Sequence, residues 1–433
     1  MTSDDTKSKE ELLQELNSLR QKAAEAEGLR SRLEKLENLY GELEEKFEKQ
    51  SREYAQERSE RDRTEEMLRM ANVIIDKSPV ILFRRLLGDQ PSLLYFSRNI
   101  ARFGYTTDGL LYGTMDYKDI VHPDDLARFE EEIRDYAEKD VEEYTQIYRI
   151  LTKSGEVRWI KDQTSVIRDA NGIKTQTQGV LVDITDHKKA LELAGEVQKN
   201  LLPQKNLRFN GLDIAGKSVP CEEIGGDYFD YLLGEEYPGR PFSVVVGDIT
   251  GHGVDAALLM TSARTFLRMR SSQPGSIAQI VNEMNRHLLR DVLDTGRFMT
   301  LLYMTIDTDN GHVRWVRAGH DPAILYDPVQ DKFEELKGVG VALGLDEKFA
   351  YEENLKTELA SGQIIAIGTD GIWESFNRDG EMYGKERFHS IIRKNANAEE
   401  ANDILNAIYN DLDSFRSGLK PDDDITLVVI RIT

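Results

Sequence analysis

Cysteine is almost absent from the sequence, since Cys221 is the only one in 433 residues. A lone cysteine cannot form an intrachain disulfide, and it excludes a cysteine-rich zinc site. No apolar run approaches the roughly 18 residues that a membrane-spanning helix needs. The polar, acidic N-terminus lacks the basic start and apolar stretch of a secretory signal. We therefore expect a cytoplasmic protein without a membrane partner.

Positive charge is scarce as well. The 56 lysine and arginine residues are outnumbered by 78 aspartate and glutamate residues, which gives a formal net charge of -22. This excess repels phosphate backbones, so nucleic acid is not an expected partner. Clustered carboxylates can instead hold divalent cations. The length of 433 residues predicts two or three domains.

Proline is missing before Pro79, and residues 1–75 are predicted to form a coiled coil. Apolar residues recur there at alternating steps of four and three, and one three-residue slip predicts a local stammer. The seam residues are Leu12, Leu16, Leu19, Ala23, Ala26, Leu29, Leu33, Leu36, Tyr40, Leu43 and Phe47. One narrow seam cannot bury itself, so a homodimer is favoured over an amphipathic helix folded back on its own protein.

Residues 76–187 are predicted to form a separate α+β domain. Short β-type runs such as Val80–Phe83, Val157–Ile160 and Thr164–Ile167 are separated by turn signals, and a helical stretch lies near Asp124–Glu138. These runs predict a small antiparallel sheet.

Two segments of this domain resemble PAS domains, namely DIVHPDDLARF (119–129) and YRILTKSGEVRWIKDQTSVIRDANGIKTQTQGVLVDITDHKKA (148–190). The resemblance implies a module for sensing or association, with an unknown ligand. A flavin-adduct photosensor needs a cysteine, and Cys221 lies outside these segments. His122 could ligate haem, but its His-Pro-Asp-Asp turn favours a cap on the following helix.

Residues 188–204 are predicted to form a linker helix. Ala190, Leu193, Val197 and Leu201 are spaced for one apolar face. We expect this helix to join the coiled coil in forming the homodimer.

Residues 205–433 are predicted to form the catalytic domain, and they contain four acidic motifs beside glycine or at the ends of apolar runs. The motifs are Gly225–Asp230, Val246–Gly253, Gly368–Gly371 and Asp422–Thr426. Asp248 follows the predicted strand Phe242–Val246, and Asp370 follows another at Gln363–Ile367. The fourth motif precedes a predicted strand over Ile425–Ile432. Carboxylates at strand ends lie where sites usually form.

Carboxylates gathered in this way, without an HExxH-type histidine pair, favour Mg²⁺ or Mn²⁺ over zinc. Two such ions can activate water and stabilise an in-line phosphoryl displacement. The alternative is that Asp-Gly pairs merely form turns and helix caps. That alternative stays open for any single motif, but four motifs at comparable strand ends disfavour it.

Seven segments of the C-terminal part resemble the bacterial PPM/PP2C-type phosphatases of the SpoIIE/RsbU group. They are QKNLLPQ (198–204), GGDYFDY (225–231), VVGDITGHGVDAALLM (245–260), RAGHDPAILY (317–326), GVALGL (340–345), GTDGIWES (368–375) and PDDDITLVVIR (421–431). The resemblance implies an α/β/β/α sandwich, protein serine/threonine phosphatase activity and two Mn²⁺ or Mg²⁺ ions.

The same resemblance implies a role for each acidic residue. Asp248 would bridge both metal ions, and the backbone carbonyl of Ile249 would complete the first site. Asp227 would hold the first ion, either directly or through water. Asp370 and Asp423 would bind the second ion. A metal-bridging hydroxide would attack phosphorus directly, which makes Asp248, Asp370 and Asp423 the expected catalytic residues.

Other polar residues of these motifs have open roles. Asp424 is expected to be a hydrogen-bonding neighbour of the metal ligands. His252 and His320 could act as general acids, but structural hydrogen bonding in their glycine-flanked turns is an equal alternative. Asp230 is expected at the surface or behind the metal ligands. No arginine for the substrate phosphate is recognisable.

Together these patterns predict a metal-dependent protein phosphatase regulated by the PAS and coiled-coil segments. The resemblance implies that its substrate is a phosphorylated STAS-domain anti-anti-sigma factor of a partner-switching pathway. A catalytically inactive pseudophosphatase that binds the same partner is the alternative. A PAS-linked histidine kinase is disfavoured, because neither a phosphoacceptor-histidine helix nor a nucleotide-binding Asn box is visible.

Overall fold

The computed structural model describes residues 8–88, 92–113, 115–232, 242–292 and 295–433. The chain folds into two compact units, one up to residue 184 and one from residue 185 onward. Each unit has a sheet and a core of its own. No helix in the described ranges is both long and apolar enough to cross a bilayer.

The first unit begins with the long helix α1, Lys9–Lys77. Its start is a capping box, in which the Glu11 N–H donates to the Ser8 side chain and the Ser8 N–H donates to Glu11. It stops at Ser78, just before Pro79, which disfavours helical backbone in the preceding residue. None of its residues is buried within the single chain, which leaves the predicted seam exposed. The first seven residues of the predicted coiled coil lie outside the described ranges.

A five-stranded antiparallel sheet follows α1. The elements in chain order are β1 (Val80–Leu86), β2 (Ser92–Phe96), α2 (Thr107–Leu111), α3 (Pro123–Glu138), β3 (Glu143–Leu151), β4 (Val157–Arg168) and β5 (Lys174–Asp183), with short 3₁₀ helices at Arg98–Phe103 and Tyr117–Ile120. The strand order is β2-β1-β5-β4-β3. The predicted α+β sheet is therefore present, although the runs Val157–Ile160 and Thr164–Ile167 are one strand rather than two.

The second unit contains five helices and eleven strands among its described residues. They are α4 (Thr185–Leu201), β6 (Leu207–Phe209), β7 (Leu212–Val219), β8 (Tyr228–Leu232), β9 (Phe242–Ile249), α5 (Val254–Ser271), α6 (Ile277–Val292), β10 (Met299–Asp307), β11 (His312–Ala318), β12 (Ala323–Asp327), β13 (Lys332–Leu336), β14 (Asn354–Lys356), β15 (Ile364–Gly368), α7 (Gly384–Lys394), α8 (Ala401–Arg416) and β16 (Ile425–Ile432).

These elements form two stacked sheets between two pairs of helices. One sheet has the order β14-β11-β10-β9-β8 and the other β13-β12-β15-β16-β7-β6. Side chains from both sheets pack in the central core, while α5 and α6 cover the first sheet and α7 and α8 cover the second. The sequence of β9 is continuously apolar because both faces of the strand are buried. Val244 and Val246 face the other sheet, and Val245 faces the helices. The predicted α/β/β/α sandwich is confirmed.

Candidate active site

Asp227 lies directly before β8 and is buried. The Thr369 hydroxyl donates a hydrogen bond of 2.9 Å to Asp227 Oδ2. The other carboxylate oxygen, Oδ1, is buried without a hydrogen-bond partner in the structure. A buried acceptor of this kind is costly unless another group satisfies it.

Asp248 is the last residue but one of β9, so it lies within the strand rather than just after it. Burial raises its pKa to about 7, and the charges of Asp370 and Asp423 contribute to the increase. Burial and the charge of Asp248 likewise hold the pKa of Asp227 well above its ordinary value. Asp248 is thus within electrostatic reach of the other three predicted carboxylates, Asp227, Asp370 and Asp423.

The other two carboxylates lie on the second sheet. Asp370 follows β15 after Thr369, and burial and the nearby charge of Asp423 raise its pKa. Asp423 lies two residues before β16, and burial raises its pKa too. The sandwich therefore brings together side chains from both sheets, because the ends of β9, β15 and β16 meet at one edge.

The backbone of Ile249 belongs to the same region. An atom added to the α-carbon of Gly226 would lie 2.8 Å from the Ile249 carbonyl oxygen, so this oxygen faces the residue before Asp227. The chain then turns through Gly251 and Gly253, whose φ angles of +78° and +88° favour glycine. Arg297 donates to the Thr250 carbonyl and holds this turn.

These residues fit a divalent cation on two grounds. The Asp227 Oδ1 atom lacks a partner, and the grouped carboxylates raise one another's pKa, which a cation would reverse. They do not form a finished coordination sphere, however. Across the ranges that the structure describes, no three acidic, histidine or cysteine side chains are close enough together to hold a metal ion. The ligand roles of Asp227, Asp248, Ile249, Asp370 and Asp423 remain predictions.

Asp424 differs from its neighbour Asp423. Its Oδ1 accepts a hydrogen bond of 2.8 Å from the Cys221 N–H, and its Oδ2 accepts bonds of 2.6 and 3.3 Å from the N–H groups of Gly226 and Asp227. Asp424 therefore holds the backbone that leads to Asp227, as expected of a hydrogen-bonding neighbour.

The two histidines occupy contrasting positions. His320 is buried, and burial lowers its pKa to about 4, so it is neutral near neutral pH and unsuited to donating a proton there. Its Nδ1 shares a hydrogen bond of 2.9 Å with the Thr300 hydroxyl. His252 is half exposed, with its Nδ1 3.2 Å from a Glu222 carboxylate oxygen. Only His252 retains the position of a candidate acid.

Sequence reasoning missed several supporting residues. Thr369 lies next to Asp370 in the GTDG motif, but its hydroxyl donates to Asp227, which is distant in the sequence. The motif alone therefore could not identify this hydrogen bond. Asp230 is fully buried and lies opposite Arg268, whose Nε and Nη2 donate to it at 2.7 and 3.0 Å. Of the two positions expected for Asp230, at the surface or behind the metal ligands, the surface position was wrong. The guanidinium group that makes burial possible belongs to a residue 38 positions away in sequence.

The first unit offers a second, separate set of candidate binding residues. An open cleft of about 560 Å³ is lined by Arg85, Arg134 and Ile133 among others. An inner cavity of about 30 Å³ shares Arg85 and Ile133 with this cleft and also contacts Gln146 and Asp162. His122 takes no part in either lining. Its Nδ1 accepts a hydrogen bond of 3.3 Å from the Asp124 N–H and caps α3, as its sequence position favoured.

Asp162 gives the first unit a testable pH dependence. Burial raises its pKa to about 6, although the Thr164 and Tyr148 hydroxyls donate to it. Because the pKa of Asp162 is higher in the folded state than in the unfolded state, its contribution to folding stability is fully present below about pH 4. That contribution is lost as the pH rises through about 6. As the pH is raised from 4 to 7, the free energy of unfolding of Asp162→Asn should therefore increase by about 2 kcal/mol relative to that of the wild type. Hydrogen exchange of the β3 and β4 amides measures the free energy of unfolding at each pH. The same pH dependence in the wild type and in Asp162→Asn would contradict the prediction.

Comparison with known proteins confirms both resemblances. Residues 238–433 match the Stage II sporulation protein E (SpoIIE) family, and residues 93–181 match the PAS fold. The chain is 26% identical to phosphoserine phosphatase RsbU of Bacillus subtilis over 244 residues, which cover 56% of this chain and 70% of RsbU.

A second relative and a solved structure are also similar. Phosphoserine phosphatase RsbP of Bacillus subtilis is 24% identical over 190 residues, which cover 43% of this chain and 46% of RsbP, so the chain spans about half of that relative. The SiaA-PP2C domain of Pseudomonas aeruginosa is 23% identical with a TM-score of 0.49, covering 58% of this chain and 100% of that one. Residues 238–433 of this chain therefore form a segment that matches the SpoIIE family, and a segment that matches the PAS fold precedes them.

Proposed function

We propose that this protein is a metal-dependent phosphatase that hydrolyses phosphoserine or phosphothreonine on a partner protein. The observation that carries the proposal is that Asp227, Asp248, Asp370 and Asp423 lie at the strand ends of one edge of the sandwich, where burial raises the pKa of each carboxylate. Carboxylates gathered at one edge of a sandwich favour divalent cations over a phosphate group alone.

The proposed division of labour is the one that the resemblance to PPM/PP2C-type phosphatases implies. Asp248, with the Ile249 carbonyl and Asp227, would hold one Mn²⁺ or Mg²⁺ ion, and Asp370 and Asp423 would complete the site of a second. When bound, such a pair activates water and stabilises the in-line displacement at phosphorus. Thr369 keeps Asp227 oriented through its 2.9 Å hydrogen bond. His252, half exposed at the rim, is the side chain placed to protonate a leaving serine oxygen.

The proposed substrate is a phosphorylated STAS-domain protein of a partner-switching pathway. The match to the SpoIIE family and the similarity to RsbU and RsbP, both named phosphoserine phosphatases, support a phosphoserine substrate. That the substrate contains a STAS domain is proposed from the resemblance of the sequence to the SpoIIE/RsbU group. The cytoplasmic location stays a prediction.

We propose that the N-terminal segments regulate this activity within a homodimer. The exposed apolar seam of α1 supports pairing with a second copy. The proposed segments are a coiled coil at 1–75, a PAS domain at 76–187, a linker helix at 188–204 and a phosphatase domain at 205–433; the observed helices α1 and α4 end at Lys77 and Leu201.

Removal of the regulatory segments should change the catalytic rate. A chain that starts at Thr185 keeps all of α4 and the SpoIIE-type unit, and its specific activity should differ several-fold from that of the full chain. Phosphate release per mole of protein at saturating Mn²⁺ measures the change. Equal rates would mean that the first 184 residues only localise the enzyme.

The proposed activity is tested with the full chain, Mn²⁺ and a panel of phosphoseryl STAS proteins, with phosphotyrosyl peptides as the control substrate. Phosphate should be released from the phosphoseryl proteins but not from the phosphotyrosyl peptides. Addition of EDTA should stop the release. Binding of the phosphoproteins without any phosphate release would instead support the pseudophosphatase alternative.

A further inference from the structure

Helix α7 begins beside the turn that starts at Asp370. The Gly384 N–H donates a hydrogen bond of 2.9 Å to the Trp373 carbonyl. The Tyr383 N–H donates one of the same length to the Ser375 carbonyl. These two backbone hydrogen bonds fix the first turn of α7 next to the segment that carries a predicted metal ligand.

Lys385 is the second residue of α7, and its ammonium group contacts two residues near Asp370. Its Nζ is 2.9 Å from Asp321 Oδ2 and 4.8 Å from the centre of the Trp373 ring. Trp373 stands three residues after Asp370, whose pKa is raised in part by the charge of Asp321. The ammonium group therefore lies at the rim of the predicted metal site.

The loop that carries Asp321 connects the two sheets, because it joins β11 to β12. Thr300 pairs with Asp248 in the register of β10 and β9. The Thr300 hydroxyl shares a hydrogen bond of 2.9 Å with Nδ1 of His320, the residue directly before Asp321. Lys385 thus pairs with a loop that is anchored beside the strand of Asp248, while its own helix is anchored beside Asp370.

The position of Lys385 is unfavourable for the helix itself, because the first turn of a helix carries partial positive charge. The other charged ends of α7 follow the dipole, with Glu386 in the first turn and Arg393 and Lys394 in the last. The ion pair with Asp321 offers little compensation, since both side chains are 38% exposed. Neither helix stability nor a strong ion pair accounts for a lysine here, which favours a role in binding.

A substrate phosphate that enters this site approaches several carboxylates of like charge. The guanidinium groups of Arg297 and Arg317 already donate to backbone carbonyls of neighbouring loops. A lysine ammonium has three donor hydrogens on a flexible stem. Lys385 can therefore keep its bond to Asp321 and donate to a phosphate oxygen at the same time.

We propose that Lys385 binds the phosphate group of the substrate while it remains paired with Asp321. The proposal rests on the proposed function, because it assumes that a phosphorylated protein is hydrolysed at this site. Its ligand chemistry is that of a phosphate monoester, which inorganic phosphate, the product, shares. Lys385 strengthens the binding of both and takes no part in proton transfer.

The test compares full-length variants at saturating Mg²⁺ with two substrates, a phosphoseryl protein and p-nitrophenyl phosphate. In Lys385→Gln the KM for both should rise about tenfold, as expected for one lost charge-assisted hydrogen bond, with a smaller change in kcat. The inhibition constant of inorganic phosphate should rise by the same factor. Lys385→Arg keeps the charge and the donors, so it should recover most of the affinity.

Asp321→Asn separates phosphate binding from simple neutralisation of Asp321. If Lys385 only neutralised this carboxylate, the unpaired Asp321 would repel phosphate in Lys385→Gln, and the double variant would regain the KM of the wild type. We expect the double variant to keep the raised KM, because the donor to phosphate is still missing.

Lys356→Gln is the matched control. Lys356 lies on β14, the edge strand of the first sheet, and its Nζ is 3.0 Å from both carboxylate oxygens of Glu334. This variant also breaks a lysine–carboxylate pair but should keep the KM of the wild type. Circular dichroism establishes that each variant is folded.

An unchanged KM for both substrates in Lys385→Gln would overturn the proposal, and so would recovery in the double variant. A rise confined to the phosphoseryl protein would overturn it as well, since Lys385 would then contact an acidic side chain of the partner. A wild-type chain that hydrolyses neither substrate contradicts the proposed function instead. Calorimetry of inorganic phosphate with the Mg²⁺-loaded proteins then decides: about tenfold weaker binding by Lys385→Gln supports the role of Lys385, and equal affinity overturns it.

Discussion

Asp248→Asn should abolish phosphate release from a phosphoseryl protein, with a loss of at least about a thousandfold. Asp248, in β9 of one sheet, is the carboxylate whose pKa is raised by the charges of both Asp370 and Asp423 on the other sheet. The amide keeps the size of the side chain but removes the charge that a bridging ligand needs. The measurement is phosphate release over a range of Mn²⁺ concentrations.

The control for this variant is Asp379→Asn, the same change at an exposed aspartate outside the site. It should retain wild-type activity. Asp370→Asn should lose activity as Asp248→Asn does, because it is proposed to bind the second ion. Full activity in both site variants would show that hydrolysis does not depend on these carboxylates.

Asp424→Ala should destabilise the SpoIIE-type unit by about 2–4 kcal/mol. Three backbone N–H groups, those of Cys221, Gly226 and Asp227, lose a charged acceptor, and each unsatisfied donor is costly. The relief of repulsion towards Asp248 and Asp227 recovers part of this cost. Urea unfolding monitored by hydrogen exchange of β16 amides measures the difference in free energy.

Asp423→Asn is the matched comparison for Asp424→Ala. The Asp423 side chain accepts a hydrogen bond from the Asp424 N–H, a contact that the asparagine oxygen can still make. Asp423→Asn should therefore lose activity with little change in the free energy of unfolding, whereas Asp424→Ala should lose both activity and stability. If both neighbouring variants unfolded at the same urea concentration, the separate roles of the two residues would be wrong.

Much of the second unit was predictable because its strands are buried on both faces. The apolar run before Asp248 and the terminal run Ile425–Ile432 each need a sheet with cover on both sides, and both form strands. The run before Asp370 forms β15 with a shift of one residue. Local hydrophobicity therefore located the strands, and the glycine-flanked aspartates marked the edge at which they end.

Polar residues inside a strand were harder to predict. Lys161, Asp162 and Gln163 interrupt the apolar pattern of β4, which suggested two strands where the structure has one. Asp162 is nevertheless buried, because the Tyr148 hydroxyl from β3 reaches it across the sheet. The sequence of one strand does not contain the partner that makes such burial tolerable.

Long-range hydrogen bonds explain what else could not be predicted at the site. Gln198 contacts Gly225 across 27 residues, and Asp424 contacts Gly226 across 198. Asp422, Asp423 and Asp424 are chemically identical neighbours, so spacing alone cannot separate a metal ligand from a residue that holds a loop. Only the folded arrangement shows that Asp424 is the carboxylate that faces the backbone of residues 221–227.

Anomalous diffraction from crystals of the full chain grown with Mn²⁺ tests the central claim most directly. We predict two anomalous peaks at the edge of the sandwich, both in contact with Asp248, one also with Asp227 and the Ile249 carbonyl and the other with Asp370 and Asp423. Strong Mn²⁺ peaks elsewhere, with none at Asp248, would contradict the proposed two-metal site.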